Sequence, residues 1–256
     1  MSKTGPDGSV PQGVRTGLPA PFAPVDAQVA AFNARFKHPY ARLEAAIESY
    51  LTTDSVILDI GCGRTAPMLQ RFAPRVAYAY GIDPVVPEDG ADVGRLLRGD
   101  ACAMPAIADA SVDLAYSRSV MEHVEDPARA LAEIHRVLKP GGRYLFLTPN
   151  KWDYASVIAR LVPNRWHPKL VLWTSGRAEE DTFPTFYRAN ARGDIQQLAA
   201  VTGFTLERFA YHGQYPAYLT FSRVLFWLGC RYEIVLARWR GLHRFQGWIL
   251  CEVRKP

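Results

Sequence analysis

The chain has 256 residues, of which 48% are apolar and 21% charged, with four cysteines. At roughly 150 residues per domain this allows one large globular unit or two small ones, and the composition excludes a disordered chain, a collagen-like fibre and a coiled coil. The net charge is +5, and residues 217–256 alone hold seven Lys/Arg against two acids, so the basic excess is local.

In chain order, residues 1–24 are rich in Gly, Pro and Ser and read as a flexible N-terminal tail. They lack the apolar stretch of about 7–15 residues that a secretory signal needs. No run reaches the ~18 apolar residues of a membrane span. The expected setting is the cytoplasm, with reduced thiols. The cysteines are scattered and form no CxxC pair, so neither a disulfide framework nor a metal site is expected. A single domain is expected over 25–256, carrying an aromatic insert at about 163–190. Apolar residues at three- and four-residue steps predict helices over 27–36 and 39–51. Ser55-Val-Ile-Leu-Asp-Ile reads as a buried strand, 64–72 as a helix and 76–82 as a second strand. A short helix-like stretch then leads to a third strand ending at Gly99-Asp100. A fourth strand is predicted over 112–116. An amphipathic helix follows over 127–138, stopped by Lys139-Pro140-Gly141-Gly142, and 143–148 is the fifth strand. After a helix over 154–162 and the insert come a helix over 191–201 and strands over 205–211 and 245–253. Strands alternating with helices imply βα units and a mostly parallel, doubly wound α/β sheet.

The chemistry concentrates at Val56-Ile-Leu-Asp59-Ile-Gly61-Cys62-Gly63, a strand running into two glycines and then a helix. Glycines let the backbone turn tightly and approach a ligand, and a helix start offers free N–H groups. About twenty residues on, Asp83-Pro84 closes the second strand, where a carboxylate can accept both hydroxyls of a ribose. Asp100-Ala101 closes the third: the carboxylate can accept from an adenine amino group, or can simply fix a turn. Asp59 beside the glycine loop is unfavourable for the pyrophosphate of a dinucleotide and favourable for a cationic ligand. That ranks S-adenosylmethionine, with its sulfonium and ammonium groups, above NAD. A carboxylate that merely fixes the loop is the other reading of Asp59.

Leu58-Asp-Ile-Gly-Cys-Gly63, Gly81-Ile-Asp83, Gly99-Asp-Ala101, Ser111-Val-Asp-Leu-Ala-Tyr-Ser-Arg-Ser-Val-Met-Glu-His-Val124 and Leu138-Lys-Pro-Gly-Gly142 occur in this order. Together they resemble the motifs of the class I S-adenosylmethionine-dependent methyltransferases, closest to the small-molecule branch. The resemblance is close over about 38–150. It implies a Rossmann-like, seven-stranded sheet with the last strand antiparallel, and S-adenosyl-L-methionine as cofactor. Asp59, Gly61, Cys62 and Gly63 would line its methionine part, Asp83 and Pro84 its ribose, and Asp100 and Ala101 its adenine. Ser117 and Arg118 would face it near the sulfonium. Thr65 departs from the pattern, since many members carry a third glycine there. A non-catalytic S-adenosylmethionine-binding protein of the same fold, and more distantly an NAD-dependent oxidoreductase, are the competing readings.

For a general base, His123 in the fourth-strand motif is the candidate, against a role in shaping the pocket. Asn150, Trp152 and Tyr154 leave the carboxyl edge after the fifth strand. With Tyr187 and Arg188 of the insert they are the candidate acceptor-binding residues. Thr148-Pro-Asn-Lys151 and Phe186-Tyr-Arg-Ala-Asn190 resemble bacterial methyltransferases of glycan or other cell-envelope synthesis. The expected acceptor is therefore a small molecule, a glycan or a lipid-linked compound, methylated at oxygen. The basic, aromatic stretch at about 218–240 reads either as a core helix with solvated arginines or as an interfacial helix giving a peripheral membrane contact. No second feature supports a nucleic-acid partner.

Overall fold

In the computed structural model, residues 21–86, 95–154, 156–157 and 183–256 are described. Helix α1 (Val25–Arg35) and helix α2 (Pro39–Glu48) precede strand β1 (Val56–Ile60). Then come α3 (Pro67–Phe72), β2 (Tyr78–Asp83), β3 (Arg95–Arg98), β4 (Val112–Arg118), α4 (Pro127–Val137) and β5 (Leu138–Pro149). The last elements are α5 (Arg192–Val201), β6 (Thr205–His212), α6 (Arg223–Arg238) and β7 (Trp248–Arg254). The seven strands form one sheet in the order β3-β2-β1-β4-β5-β7-β6. Strands β1 to β5 pair in parallel, while β7 runs antiparallel to both β5 and β6. This is the Rossmann-like sheet with a reversed last strand that the motifs implied.

The sheet is apolar on both faces, as a parallel sheet covered by helices requires. Alternate residues of β1 divide between two cores. Leu58 and Ile60 join Ala130, Leu131 and Ile134 of α4 and Ile195 of α5. Ile57 joins Leu43 and Ile47 of α2 and Leu69 and Phe72 of α3. A third, smaller cluster packs Phe32 of α1 on Phe226 and Cys230 of α6.

Several element boundaries differ from expectation, among them the end of α2 at Glu48 rather than 51 and the start of β7 at Trp248 rather than 245, and three differ for local reasons. The helix expected from residue 64 begins only at Pro67, because Ala66 is left-handed (φ 44) and proline disfavours helical backbone in the residue before it. The Lys139-Pro-Gly-Gly142 segment does not separate α4 from the fifth strand. It lies inside β5 as a register shift opposite Val112–Leu114, with Gly141 left-handed at φ 82. The second strand starts at Tyr78 rather than 76, after a 3₁₀ turn over Ala73–Arg75. The tail 1–20, the stretch 87–94, most of the helix expected over 154–162 and the insert up to 182 lie outside the described residues.

The register sets the site. Ile60 pairs with Ile82 and Ser117, Asp83 with Arg98, and Pro149 with Trp248. The carboxyl ends of the parallel strands and the start of β7 therefore share one edge of the sheet.

Candidate active site at the carboxyl edge

The loop after β1 is bound to the end of β2. Ile82 O accepts the N–H groups of Gly61 (2.8 Å) and Cys62 (3.3 Å). The Asp83 carboxylate accepts the N–H of Gly63 at Oδ2 (2.9 Å) and that of Val85 at Oδ1 (3.0 Å). Both glycines are left-handed, Gly61 at φ 74 and Gly63 at φ 70. A Cβ on Gly61 would lie 2.2 Å from Val120 Cγ2, whereas one on Gly63 would meet nothing within 4 Å. Gly61 is thus required by packing, and Gly63 faces open space. The Cys62 side chain is buried and its thiol is pushed up to about 12 by burial first and then by Asp59 and Asp83, which makes it no nucleophile at neutral pH.

Asp59 is 3% exposed and faces the α3 side of the sheet. Burial pushes its carboxyl up to about 8; Arg118 opposes that rise and Asp83 adds to it. Arg118 itself stacks over Tyr40 (4.6 Å to the ring centroid) and lies 3.9 Å from Glu44 Oε1. Tyr40 meets Trp248 edge-on at 5.5 Å, and His38 caps α2 by accepting the Tyr40 N–H at Nδ1. This shelf of His38, Tyr40 and Trp248 beside Arg118 is absent from the sequence reading. The only local signal was His38-Pro39-Tyr40 at a helix start, and nothing local links it to residue 248. Pro84 is exposed next to Asp83. Asp100 is exposed at a turn, where its Oδ1 accepts the Cys102 N–H at 2.8 Å, and Ala101 is half-buried beside it.

Two expected site residues prove to be committed elsewhere. Ser117 is fully buried and its hydroxyl bonds the Tyr144 hydroxyl at 2.6 Å, because position 117 points to the opposite face of the sheet from Tyr116. Its side chain is therefore shut away from solvent. Asn150 is fully buried as well. Its Nδ2 donates to the carbonyls of Arg244 (2.7 Å) and Gln246 (2.8 Å), and its Oδ1 accepts the Trp152 N–H. It pins the chain after β5 to the approach of β7 and has no donor left for an acceptor molecule. Trp152 is 51% exposed, and Tyr154 packs edge-on against Tyr232 at 5.9 Å.

His123 sits in a 3₁₀ turn (Met121–His123) after β4, and this turn holds the segment 183–190. The Nδ1 of His123 lies 2.9 Å from Pro184 O. Glu122 O accepts from the N–H groups of Phe186 and Tyr187, and Arg188 donates to Glu125 O at 2.5 Å. The buried Glu122 carboxylate accepts the Thr148 hydroxyl at 3.0 Å, and Asn190 Nδ2 donates to that hydroxyl oxygen (2.7 Å) and to Pro149 O (2.7 Å). Burial raises the Glu122 carboxyl above its ordinary range. Tyr187 is left-handed at φ 53. Of the insert residues, therefore, Tyr187 and Arg188 stand beside His123, strapped across the ends of β4 and β5.

Residues 58–146 match the family model described as "Methyltransferase domain". A probable S-adenosylmethionine-dependent methyltransferase of Mycolicibacterium smegmatis is 32% identical over 146 residues, 52% of this chain and 56% of that protein. A malonyl-[acyl-carrier protein] O-methyltransferase of Methylococcus capsulatus is 34% identical over 145 residues, 56% of this chain and 46% of its own length. The chain spans about half the length of these curated relatives. Geranyl diphosphate C-methyltransferase from Streptomyces coelicolor A3(2), solved with Mg2+, geranyl-S-thiolodiphosphate and S-adenosyl-L-homocysteine, shares the fold at a TM-score of 0.56 and 15% identity, over 94% of this chain and 84% of that one.

The packing at Gly61 gives a direct test. Gly61→Ala places a methyl group into Val120 on a left-handed backbone, and the expected loss of stability is about 2–3 kcal/mol in urea unfolding. Adding Val120→Ala should recover part of it. Gly63→Ala, with only its backbone conformation at stake, should cost less.

Proposed function

We propose that this chain, whose residues 58–146 belong to the class I S-adenosylmethionine-dependent methyltransferases, methylates an oxygen of a small-molecule, glycan or lipid-linked acceptor. The observation that carries the cofactor half is the pair of carboxylates at the glycine loop. Asp59 and Asp83 interact electrostatically, and Asp83 binds the N–H of Gly63, which faces open space; this suits a cationic sulfonium and ammonium and disfavours a pyrophosphate. When bound, S-adenosylmethionine supplies a methyl group already activated for in-line displacement. The chain's own part is then to hold the acceptor in line and to exclude water.

In this reading Asp83 keeps unused lone pairs for a ribose after fixing the loop, and Asp100 does the same for an adenine amino group. Arg118, held by Tyr40, sets the field around Asp59. A carbonyl oxygen only accepts, so the contact with Pro184 O puts the proton of neutral His123 on Nδ1 and leaves Nε2 with its lone pair. Nε2 is then the atom able to take the proton of an acceptor hydroxyl. Trp152, Tyr154, Tyr187 and Arg188 border the space where such an acceptor would enter. Oxygen as the methylated atom is supported by the malonyl-[acyl-carrier protein] and ubiquinone biosynthesis O-methyltransferases among the relatives and by the tautomer of His123. A dimethylglycine N-methyltransferase is also among them, so product analysis decides the atom.

Calorimetry should show binding of S-adenosylmethionine and none of NAD, and a labelled methyl group should appear on acceptor rather than stay with the cofactor. Asp83→Asn should weaken cofactor binding by roughly tenfold or more through loss of charge-assisted bonds; unchanged affinity would place the ribose elsewhere.

The Asp59 carboxyl, raised to about 8, is mostly protonated at pH 7 in the free chain. A cation bound beside it favours the ionised form. Cofactor affinity should therefore rise with pH up to about 8 and level off above it, and binding at pH 7 should release up to one proton. Calorimetry in two buffers of different ionisation enthalpy reads that proton directly. Equal heats in both buffers would mean that Asp59 does not meet the cation.

His123→Ala should lower kcat by roughly a hundredfold or more with KM little changed if Nε2 is the base. If His123 only anchors Pro184, KM rises instead and kcat is little changed.

A further inference from the structure

We infer that α6 is a docking face for an anionic lipid surface. The helix is apolar on two sides. Phe226, Cys230 and Leu236 are buried, with Phe226 and Cys230 packed on Phe32 of α1. On the other side Val224, Leu225, Leu228, Tyr232, Val235 and Trp239 are exposed, between 39% and 63% each. At 3.6 residues per turn these six fall within an arc of about 100°. The core explains the first side; on the second, Tyr232 meets Tyr154 edge-on at 5.9 Å, and the face stays largely exposed among the described residues.

The charge around the exposed face selects the occupant. Arg223, Arg231, Arg238, Arg240 and Arg244 are all exposed, and none of them pairs with a carboxylate among the described residues. The one acid between 217 and 247 is Glu233, 3% exposed on the buried side. Just beyond the helix, Arg192, Arg240, His243 and Arg244 line a depression of about 640 Å³. An apolar stripe with a purely basic rim and a basic pocket at its end matches acyl chains below phosphate headgroups. A second copy of the same face would bring these arginines together with no acid to offset them. No described helix is long and apolar enough to cross a membrane, so α6 lies on the surface instead of spanning it.

The placement gives the contact a use. The chain enters α6 after β6 and leaves it into β7, and both His212 and Pro149 pair with Trp248. The docking helix thus sits at the same sheet edge as the candidate active site. This inference does not depend on methyl transfer and would stand if the cofactor reading failed.

The test is co-sedimentation of the whole chain with vesicles of phosphatidylglycerol and phosphatidylcholine at low salt. Binding is expected there, with little to pure phosphatidylcholine, and it should fall steeply at about tenfold higher salt. Leu228→Glu with Val235→Glu, both at exposed positions, should abolish binding while the melting temperature stays unchanged. Arg231→Ser with Arg238→Ser and Arg240→Ser should weaken it by roughly fivefold per arginine. Brominated lipid should quench the native protein more than Trp239→Phe. Absence of binding at low salt, equal binding to neutral vesicles, or insensitivity to both sets of substitutions overturns the proposal. So does a dimer that the glutamate pair dissociates without any effect of vesicles, which would make the face a self-interface.

Discussion

The site depends on one joint, the attachment of the loop after β1 to the end of β2. Three successive N–H groups, of Gly61, Cys62 and Gly63, are taken up by Ile82 O and the Asp83 carboxylate. Left unsatisfied in a half-buried loop, each would cost on the order of 1–3 kcal/mol. Satisfied, they hold two left-handed glycines in place and fix Asp83 against the loop. The parallel register carries this geometry across the sheet, from Asp83 opposite Arg98 to Ile60 opposite Ser117. The glycine-loop half of the carboxyl edge is positioned from this joint.

A second constraint is the number of acids this edge buries. Asp59 and Glu122 are both nearly inaccessible, and burial raises both carboxyls. In the free chain such groups favour their protonated forms, and each lowers stability as pH climbs from the ordinary carboxylate range toward its raised value. Retaining Asp59 in that state is costly unless a cation arrives. Glu122 has a different explanation, since its oxygens and backbone hold Thr148, Phe186 and Tyr187. In the proposed reading one buried acid is poised for a ligand, and the other fastens the segment 183–190.

The sheet and its glycine loop were legible because their signals are local: a strand pattern, a glycine pair and an acid at each of three strand ends. The burial of Ser117 and Asn150 was not legible, because the same local signals do not say which face a residue takes. Position 117 differs from 118 only by the alternation of a strand, and that put its hydroxyl against Tyr144. Asn150 follows the fifth strand as an acceptor-binding residue would, yet its amide is consumed by carbonyls about 95 residues on. The shelf of His38, Tyr40 and Trp248 joins the two ends of the domain, which no sequence window contains. For α6, apolar residues all round gave a helix without a preferred face; only packing against α1 decided which side was spent on the core.

The local basic excess then acquires a physical meaning. The cofactor end gathers Asp59, Asp83 and Asp100, as a cationic ligand needs, and the arginines of 223–244 lie on a separate surface of the same sheet edge. Were the two sets intermixed, Asp59 would be neutralised by salt bridges and its carboxyl held low; instead Arg118 is the single cation opposing its rise among the described residues. Keeping the other arginines away preserves a negative pocket, and keeping acids out of 217–247 apart from buried Glu233 preserves a positive rim. Charges of opposite sign on one edge also orient the molecule. If α6 docks on an anionic surface as proposed, that surface attracts the arginine rim and repels the acids of the pocket, so the field would turn the α6 face toward it before any apolar contact forms.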